Sequence, residues 1–228
     1  MYCKNIHTKM EKENLITADK IFDLYGEYIL NHGERPKNIY RFAKENEFEE
    51  KDFYDYFSSF EQIEKSMLVN LFDKSVALAS EDHISDKMSS KEKLLNVYFI
   101  FFENMTMNRS LVLMILGNDK LHFAKISNQL KETHRHFIKT LDFDDWSMIK
   151  EAKDDVKKFR EKAREEAFWI HFVSAIEFWK KDTSPAFEKT DVFIEKTIDT
   201  GFELMDSEPL RKVVDLGKFL FKEKFRKS

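Results

Sequence analysis

The groups in this chain that could do acid–base or metal chemistry are few and badly spaced for it. His134 and His136 are too close for two ligands on one helical face, and His122 and His171 have no Asp, Glu or Cys at a ligand spacing. They read as core or solvated histidines, and no metal is expected. The acidic pairs Glu49-Glu50, Asp144-Asp145, Asp154-Asp155 and Glu165-Glu166 are adjacent. Neighbouring side chains leave a helix in different directions, so these pairs read as solvated surface rather than as a general acid and base. No glycine-rich phosphate loop, nucleophile elbow or His-Glu-x-x-His motif occurs. The single cysteine, Cys3, leaves no intramolecular disulfide and no cysteine metal site, which suits a reducing compartment. The expectation is a protein that is not an enzyme and has no cofactor.

Apolar recognition is better supplied. Two aromatic runs stand out: Tyr98-Phe99-Ile100-Phe101-Phe102 with Met105 and Met107, and Phe168-Trp169-Ile170-His171-Phe172 with Phe178 and Trp179. Consecutive apolar residues point all round a helix, so each run is buried on more than one side, against the core or against a partner subunit. An interior of this kind encloses an apolar ligand, because methionine fills irregular space. The candidate ligand contacts are Tyr98, Phe101, Phe102, Met105, Met114, Phe168, Trp169 and Phe172, and plain core packing is the alternative. A third pattern lies in the tail. Leu210, Val213, Val214, Gly217, Phe221 and Phe225 form one stripe, flanked by Arg211, Lys212, Lys218, Lys222 and Arg226. A basic amphipathic helix with Phe on its apolar side can lie on an anionic bilayer. Lys218, Phe221, Lys222, Phe225 and Arg226 are the candidate membrane-surface residues, and a last helix packed on the protein is the alternative.

The elements that must position these groups are all helical. In 228 residues there are only 5 Gly and 3 Pro. Sandwiches, barrels and doubly wound folds need more turn residues than that. With 42% hydrophobic and 35% charged residues, a real core sits under a densely ionic surface. Apolar spacing predicts helices over Leu15 to Asn31, Arg35-Pro36 to about Asn46, Glu49 to Phe57, and Phe60 to about Ser80 after a Ser58-Ser59 cap. Further helices are predicted from Lys91 to Met107, Leu111 to Leu116, Asp119 to Leu141, Asp145 to Lys181, Ser184 to about Met205, and from Ser207-Glu208-Pro209 to the C-terminus. No stretch approaches the ~18 apolar residues of a membrane span. The polar N-terminus, Met1 to Asn14, lacks the apolar segment of a signal peptide, so a cytoplasmic location is expected.

Within residues 15–67 the pattern resembles the N-terminal DNA-binding domain of the TetR family of bacterial regulators. The resemblance rests on Ile21-Phe22-Asp23-Leu24-Tyr25, His32-Gly33-Glu34, Phe42-Ala43-Lys44, and above all Phe53-Tyr54-Asp55-Tyr56-Phe57-Ser58-Ser59-Phe60-Glu61. It implies a three-helix, homeodomain-like helix-turn-helix over residues 1–60, with a ligand-binding and dimerisation domain over 61–228. It also implies double-stranded DNA as partner, through Lys37, Arg41 and Lys44 on the second helix and Lys51, Tyr54 and Tyr56 on the third. Three departures are visible. Asn46-Glu47 stands where the family has a small-residue turn, and Glu49, Glu50, Lys51 and Asp52 open the recognition helix. Phe60 stands where the family has a phosphate-binding lysine. DNA is a polyanion, and these carboxylates have the wrong sign for it.

Charge is unevenly spread. Residues 15–60 hold six basic and ten acidic side chains, while residues 211–228 hold seven basic and two acidic ones, in a chain of net charge −4. The expected fold is therefore all-α and TetR-like, and the expected function is a ligand-responsive regulator binding DNA as a homodimer, with a small apolar effector. The alternative is a protein of the same fold that has lost DNA binding and acts as a lipid-binding or membrane-docking accessory. That arrangement is similar to a TetR-like lipid-binding family of ubiquinone biosynthesis.

Overall fold

The structure, a computed structural model, describes residues 16–81, 87–143 and 154–206. The described residues form ten α-helices and no strand. They group into two compact units, one running to Leu71 and including Met107–Leu130, the other comprising Phe72–Thr106 and the residues from Lys131 on.

In the first unit, α1 (Ala18–His32) begins where the Thr17 side chain accepts from the Lys20 N–H at 3.2 Å. It ends at Gly33, whose φ of 73° is left-handed and suits a residue without Cβ. Helix α2 (Ile39–Glu45) starts later than Pro36 suggests. Asn38 sits extended and its Oδ1 accepts the Arg41 N–H at 2.8 Å, so this residue rather than the proline sets the first turn. Helix α3 (Glu50–Tyr54) is shorter than expected. Between α2 and α3, Glu47 has φ of 59°, a left-handed conformation that turns the chain tightly between the two helices, held here without glycine. Ser59 caps α4 (Phe60–Ser80), its Oγ accepting the Gln62 N–H at 3.2 Å.

Phe42 is the hub of this unit. Its ring meets Tyr25, Tyr28, Phe48, Phe53 and Phe60 edge-on at 5.6 to 6.4 Å, and it is fully buried with Ile21, Tyr25, Phe53 and Ile63. Edge-to-face pairs add to simple burial, so one ring ties three helices together. Beside it lies a buried carboxylate, Glu64. It accepts from the Tyr25 hydroxyl at 2.6 Å and from Arg35 Nε at 2.7 Å, so the charge is paired where it leaves water. The same unit contains α6 (Arg109–Leu116) and α7 (Lys120–Ile126), with Leu111 packed on the Phe42 cluster.

The second unit is built from the later part of α4, from α5 (Ser90–Met107), α8 (Asn128–Thr140), α9 (Asp154–Lys181) and α10 (Glu188–Asp206). The expected single helix over Asp119 to Leu141 is broken at Ser127, between α7 and α8. Pro185–Phe187 forms a 3-10 turn before α10, so that helix starts later than Ser184. Ala186 (φ 51°) and Phe187 (φ 60°) are both left-handed, each costing on the order of 1 kcal/mol. Asp182 holds this turn by accepting from Ser184 N and Oγ and from Thr190 N and Oγ1, at 2.7 to 2.9 Å. Burial works against its ionisation, but these bonds outweigh it and bring the pKa down from the ordinary 3.8 to about 2.

Candidate functional site

Lys37, expected on the second helix, precedes its cap Asn38 and lies outside α2, whereas Arg41 and Lys44 are on α2; all three are exposed while Phe42 and Ala43 face the core. Arg41 Nε lies 2.6 Å from Glu45 Oε1, and that carboxylate raises the arginine's pKa. Lys44 Nζ stands 6.0 Å from the Tyr40 ring centre. Among the described residues no carboxylate pairs with Lys37 or Lys44. On α3 the chemistry is turned inward on the helix itself. Lys51 Nζ is 2.8 Å from Glu49 Oε2, and Asp52 Oδ2 accepts the Glu49 N–H at 3.3 Å. The Tyr54 hydroxyl reaches Glu50 at 3.4 Å, and the Tyr56 hydroxyl donates to the Ile16 carbonyl at 3.1 Å. The acidic residues that look misplaced for DNA thus serve the positive end of a very short helix. Phe60 is likewise used for packing, stacked on Tyr25 at 5.3 Å and edge-on to Phe53 at 5.6 Å.

The aromatic candidates of the second unit divide. Tyr98, Phe101, Phe102, Trp169 and Phe172 converge, with Phe172 5.0 Å from both Tyr98 and Phe101 and 5.9 Å from Trp169. Met105 is fully buried on the same helix as Tyr98. Phe168 lies apart from this group, stacked on Phe143 at 5.4 Å. Met114 is 37% exposed on α6 and belongs to the first unit, because Val112, Ile115 and Leu116 are the buried side of that helix. The membrane-surface residues Lys218, Phe221, Lys222, Phe225 and Arg226 lie outside the described residues.

Two histidines that spacing did not single out sit in this aromatic core. His134 is fully buried, with Nε2 2.7 Å from the Tyr98 hydroxyl and the ring 4.8 Å from Phe172. His171 Nε2 lies 2.7 Å from Thr197 Oγ1. The Nδ1 atom of each is buried without a hydrogen-bond partner. Burial lowers the His134 pKa to about 3, helped by His171, and lowers that of His171 to about 4, so both rings are neutral. The only signal in the sequence was His171 inside an otherwise apolar run. The pair Glu165-Glu166 also differs from expectation. Glu165 is only 6% exposed, with Arg135 Nε at 3.2 Å and Lys139 Nζ at 3.6 Å, so it belongs to an ion-paired seam between α8 and α9.

Three further observations bound the chemistry. No group of three or more His, Cys, Asp or Glu side chains gathers among the described residues to hold a metal ion. No single described helix is long and apolar enough to cross a membrane. Cavities in the second unit include ones of about 180, 230 and 440 Å³, and of the eight ligand candidates only Phe102 borders one of these three.

No curated protein and no solved structure matches the chain. Residues 93–220, more than half of the chain, match the family model of the tetracyclin repressor-like C-terminal domain, and the chain therefore belongs to the TetR family.

Proposed function

We propose that the protein is a ligand-responsive transcriptional regulator that grips duplex DNA as a homodimer, with residues 1–60 as the DNA-facing module. The observation that carries this reading is the exposed row of Lys37, Arg41 and Lys44 leading a helix-turn-helix whose corner residue, Glu47, keeps the left-handed conformation the motif needs. Among the described residues Arg41 and Lys51 are ion-paired with solvent-exposed carboxylates, Glu45 and Glu49. Such pairs are worth at most ~1 kcal/mol, so a phosphate can displace them. Affinity then comes from the backbone rather than from bases, and it is steep in salt. The effector is a small apolar molecule with one polar atom. It enters the core of Tyr98, Trp169 and Phe172, none of which borders one of the three cavities described, only by displacing these packed rings, and the unpartnered Nδ1 atoms of His134 and His171 supply its hydrogen bonds.

Dimerisation has support on α9. Ala163, Ala167, Ile170, Ser174 and Phe178 form one exposed, uncharged stripe, with Ile170 59% exposed and Val192 of α10 45% exposed. Small residues allow two copies of such a helix to approach closely around a two-fold axis.

The test is retention of the full chain on a mixed pool of duplex DNA at low salt. Binding should weaken with a log–log salt slope of about −7, as for about eight phosphates per dimer, one for each of Lys37, Arg41, Lys44 and Lys51 in both subunits. It should be lost in the Lys37→Glu/Arg41→Glu double variant. Absence of retention at low salt sinks this reading. It would then favour a second one, to which the carboxylates of α3 already point: a TetR-family protein without DNA binding that docks lipid or membrane. In that case co-sedimentation with anionic vesicles depends on residues 207–228.

A further inference from the structure

Among the described residues of the first unit, Glu64 is the only charged side chain that is buried, at 2% exposure. Three parts of the chain meet on it. From α1 the Tyr25 hydroxyl donates to Oε1 at 2.6 Å, and Arg35 Nε, from the connection between α1 and α2, donates to the same oxygen at 2.7 Å. The other arm of the Arg35 fork bonds Oε2, so α4 holds the guanidinium by both carboxylate oxygens. The bond to Glu64 raises the pKa of Arg35, and burial followed by the Glu64 charge raises that of Tyr25, so both groups stay protonated and donate.

Stability is a poor reason for this arrangement. When a buried ion pair is replaced whole by apolar groups of similar volume, the protein is often as stable or more so, whereas removal of one partner is strongly destabilising. What the pair supplies is a single geometry, since a forked guanidinium–carboxylate contact fixes direction as well as distance. Geometry matters at this place because the connection has few other anchors. The Gly33 N–H bonds the Ile29 carbonyl at 2.8 Å and the Phe42 N–H bonds the Asn38 carbonyl at 3.2 Å. Between them, among the described residues, no bond between backbone groups holds residues 34–37. Pro36 is buried and Arg35 is forked on Glu64, and the next two residues are exposed Lys37 and Asn38, the cap of α2. Two residues of chain span at most ~7 Å, so the position of Lys37 follows that of Arg35.

We propose that Arg35, held by Glu64 and Tyr25, is a positioning residue for DNA, which sets the connection so that Lys37 and the first turn of α2 meet the phosphate backbone. Its contribution passes through Lys37 rather than through a phosphate of its own. This inference rests on the DNA-binding reading above.

The experiment compares the full-length protein with the triple variant Tyr25→Phe/Arg35→Met/Glu64→Leu, which removes the charges together and leaves no buried hydroxyl orphaned. Circular dichroism should be unchanged and the thermal midpoint should stay within about 5 °C. Retention on a mixed pool of duplex DNA at fixed low salt should nonetheless weaken about tenfold. Lys37→Ala is then made in both backgrounds. It should cost about fivefold in the native protein and less than about twofold in the triple variant, while Lys44→Ala should cost the same in both. Undiminished affinity of the triple variant, or a full Lys37→Ala loss within it, overturns the proposal and leaves DNA binding standing. A parallel disappearance of the Lys44 effect also overturns it, since the whole module would then have been disturbed. No retention of the native protein sinks the DNA-binding reading and this inference with it. If the triple variant does not fold, Arg35→Lys, which keeps the charge and loses the fork, decides by the same Lys37→Ala comparison.

Discussion

The two buried imidazoles set the protein's response to acid. Thr197 Oγ1 donates to the Phe193 carbonyl at 2.6 Å, so it accepts from His171 Nε2–H and leaves His171 Nδ1 as a bare acceptor. The Tyr98 phenol, whose pKa is pushed far up by burial, is the donor to His134 Nε2, which leaves His134 Nδ1–H as a bare donor. Folded pKa values of about 3 and 4 lie below the ordinary 6.5, so the unfolded chain takes up protons first as pH falls. Stability is complete above about pH 6.5 and drains away below it. Each ring removes up to ~1.4 kcal/mol per pH unit until its folded pKa is reached. The thermal midpoint should drop by several degrees between pH 7 and 5, and a His134→Leu variant should show a flatter profile over that interval. An identical profile in this variant would remove His134 from the account. Such unmet atoms lie outside what spacing can reveal, since they depend on what helices α5, α8, α9 and α10 bring against each ring.

At the scale of the element, the first four helices follow apolar spacing and differ from it at their ends, where single side chains compete for the first free amides. Asn38 caps α2 two residues beyond Pro36, and the Glu49–Asp52 exchange opens α3. The acidic start of α3 was legible as an obstacle to DNA, but its use as a helix cap was not, because capping depends on the extended backbone at Glu49. Glu47 bears the same lesson in energy. A side chain held at φ 59° costs about 1–2 kcal/mol, of which glycine would return part after its own loss of chain entropy. Glu47→Gly should therefore raise stability by roughly 0.5–1 kcal/mol, and Glu47→Val should lower it, read from denaturant midpoints at unchanged slope. The glycine variant also removes a carboxylate beside α3, so on the proposed DNA-binding reading its retention on duplex DNA should rise rather than fall.

For the whole molecule, the proposed dimer makes a prediction that no single subunit can satisfy. If the α9 stripe lies on a two-fold axis, Ile170→Glu sets two carboxylates against each other there. Its dimer dissociation constant should rise at least about tenfold in sedimentation equilibrium, with circular dichroism unchanged. Ser174→Ala, which keeps the stripe small and uncharged, should leave the dimer intact. A wild-type monomer at micromolar concentration would remove both the interface and the mechanism of paired DNA-facing modules.

Scarce glycine and proline and helical periodicity determined by themselves that the chain is all-α, because turn supply and apolar spacing are properties of the string of residues; the TetR family was read from a resemblance over residues 15–67 and is shown by the match over residues 93–220. Only the tertiary structure decided which charged and aromatic groups are still available. Arg41, Lys51 and Glu165 turned out to be ion-paired, Phe60 to be packed on the core, and His134 and His171 each to leave Nδ1 unmet. The physical reason is that pairing, burial and field are set by neighbours distant in sequence, and spacing along one helix does not specify them.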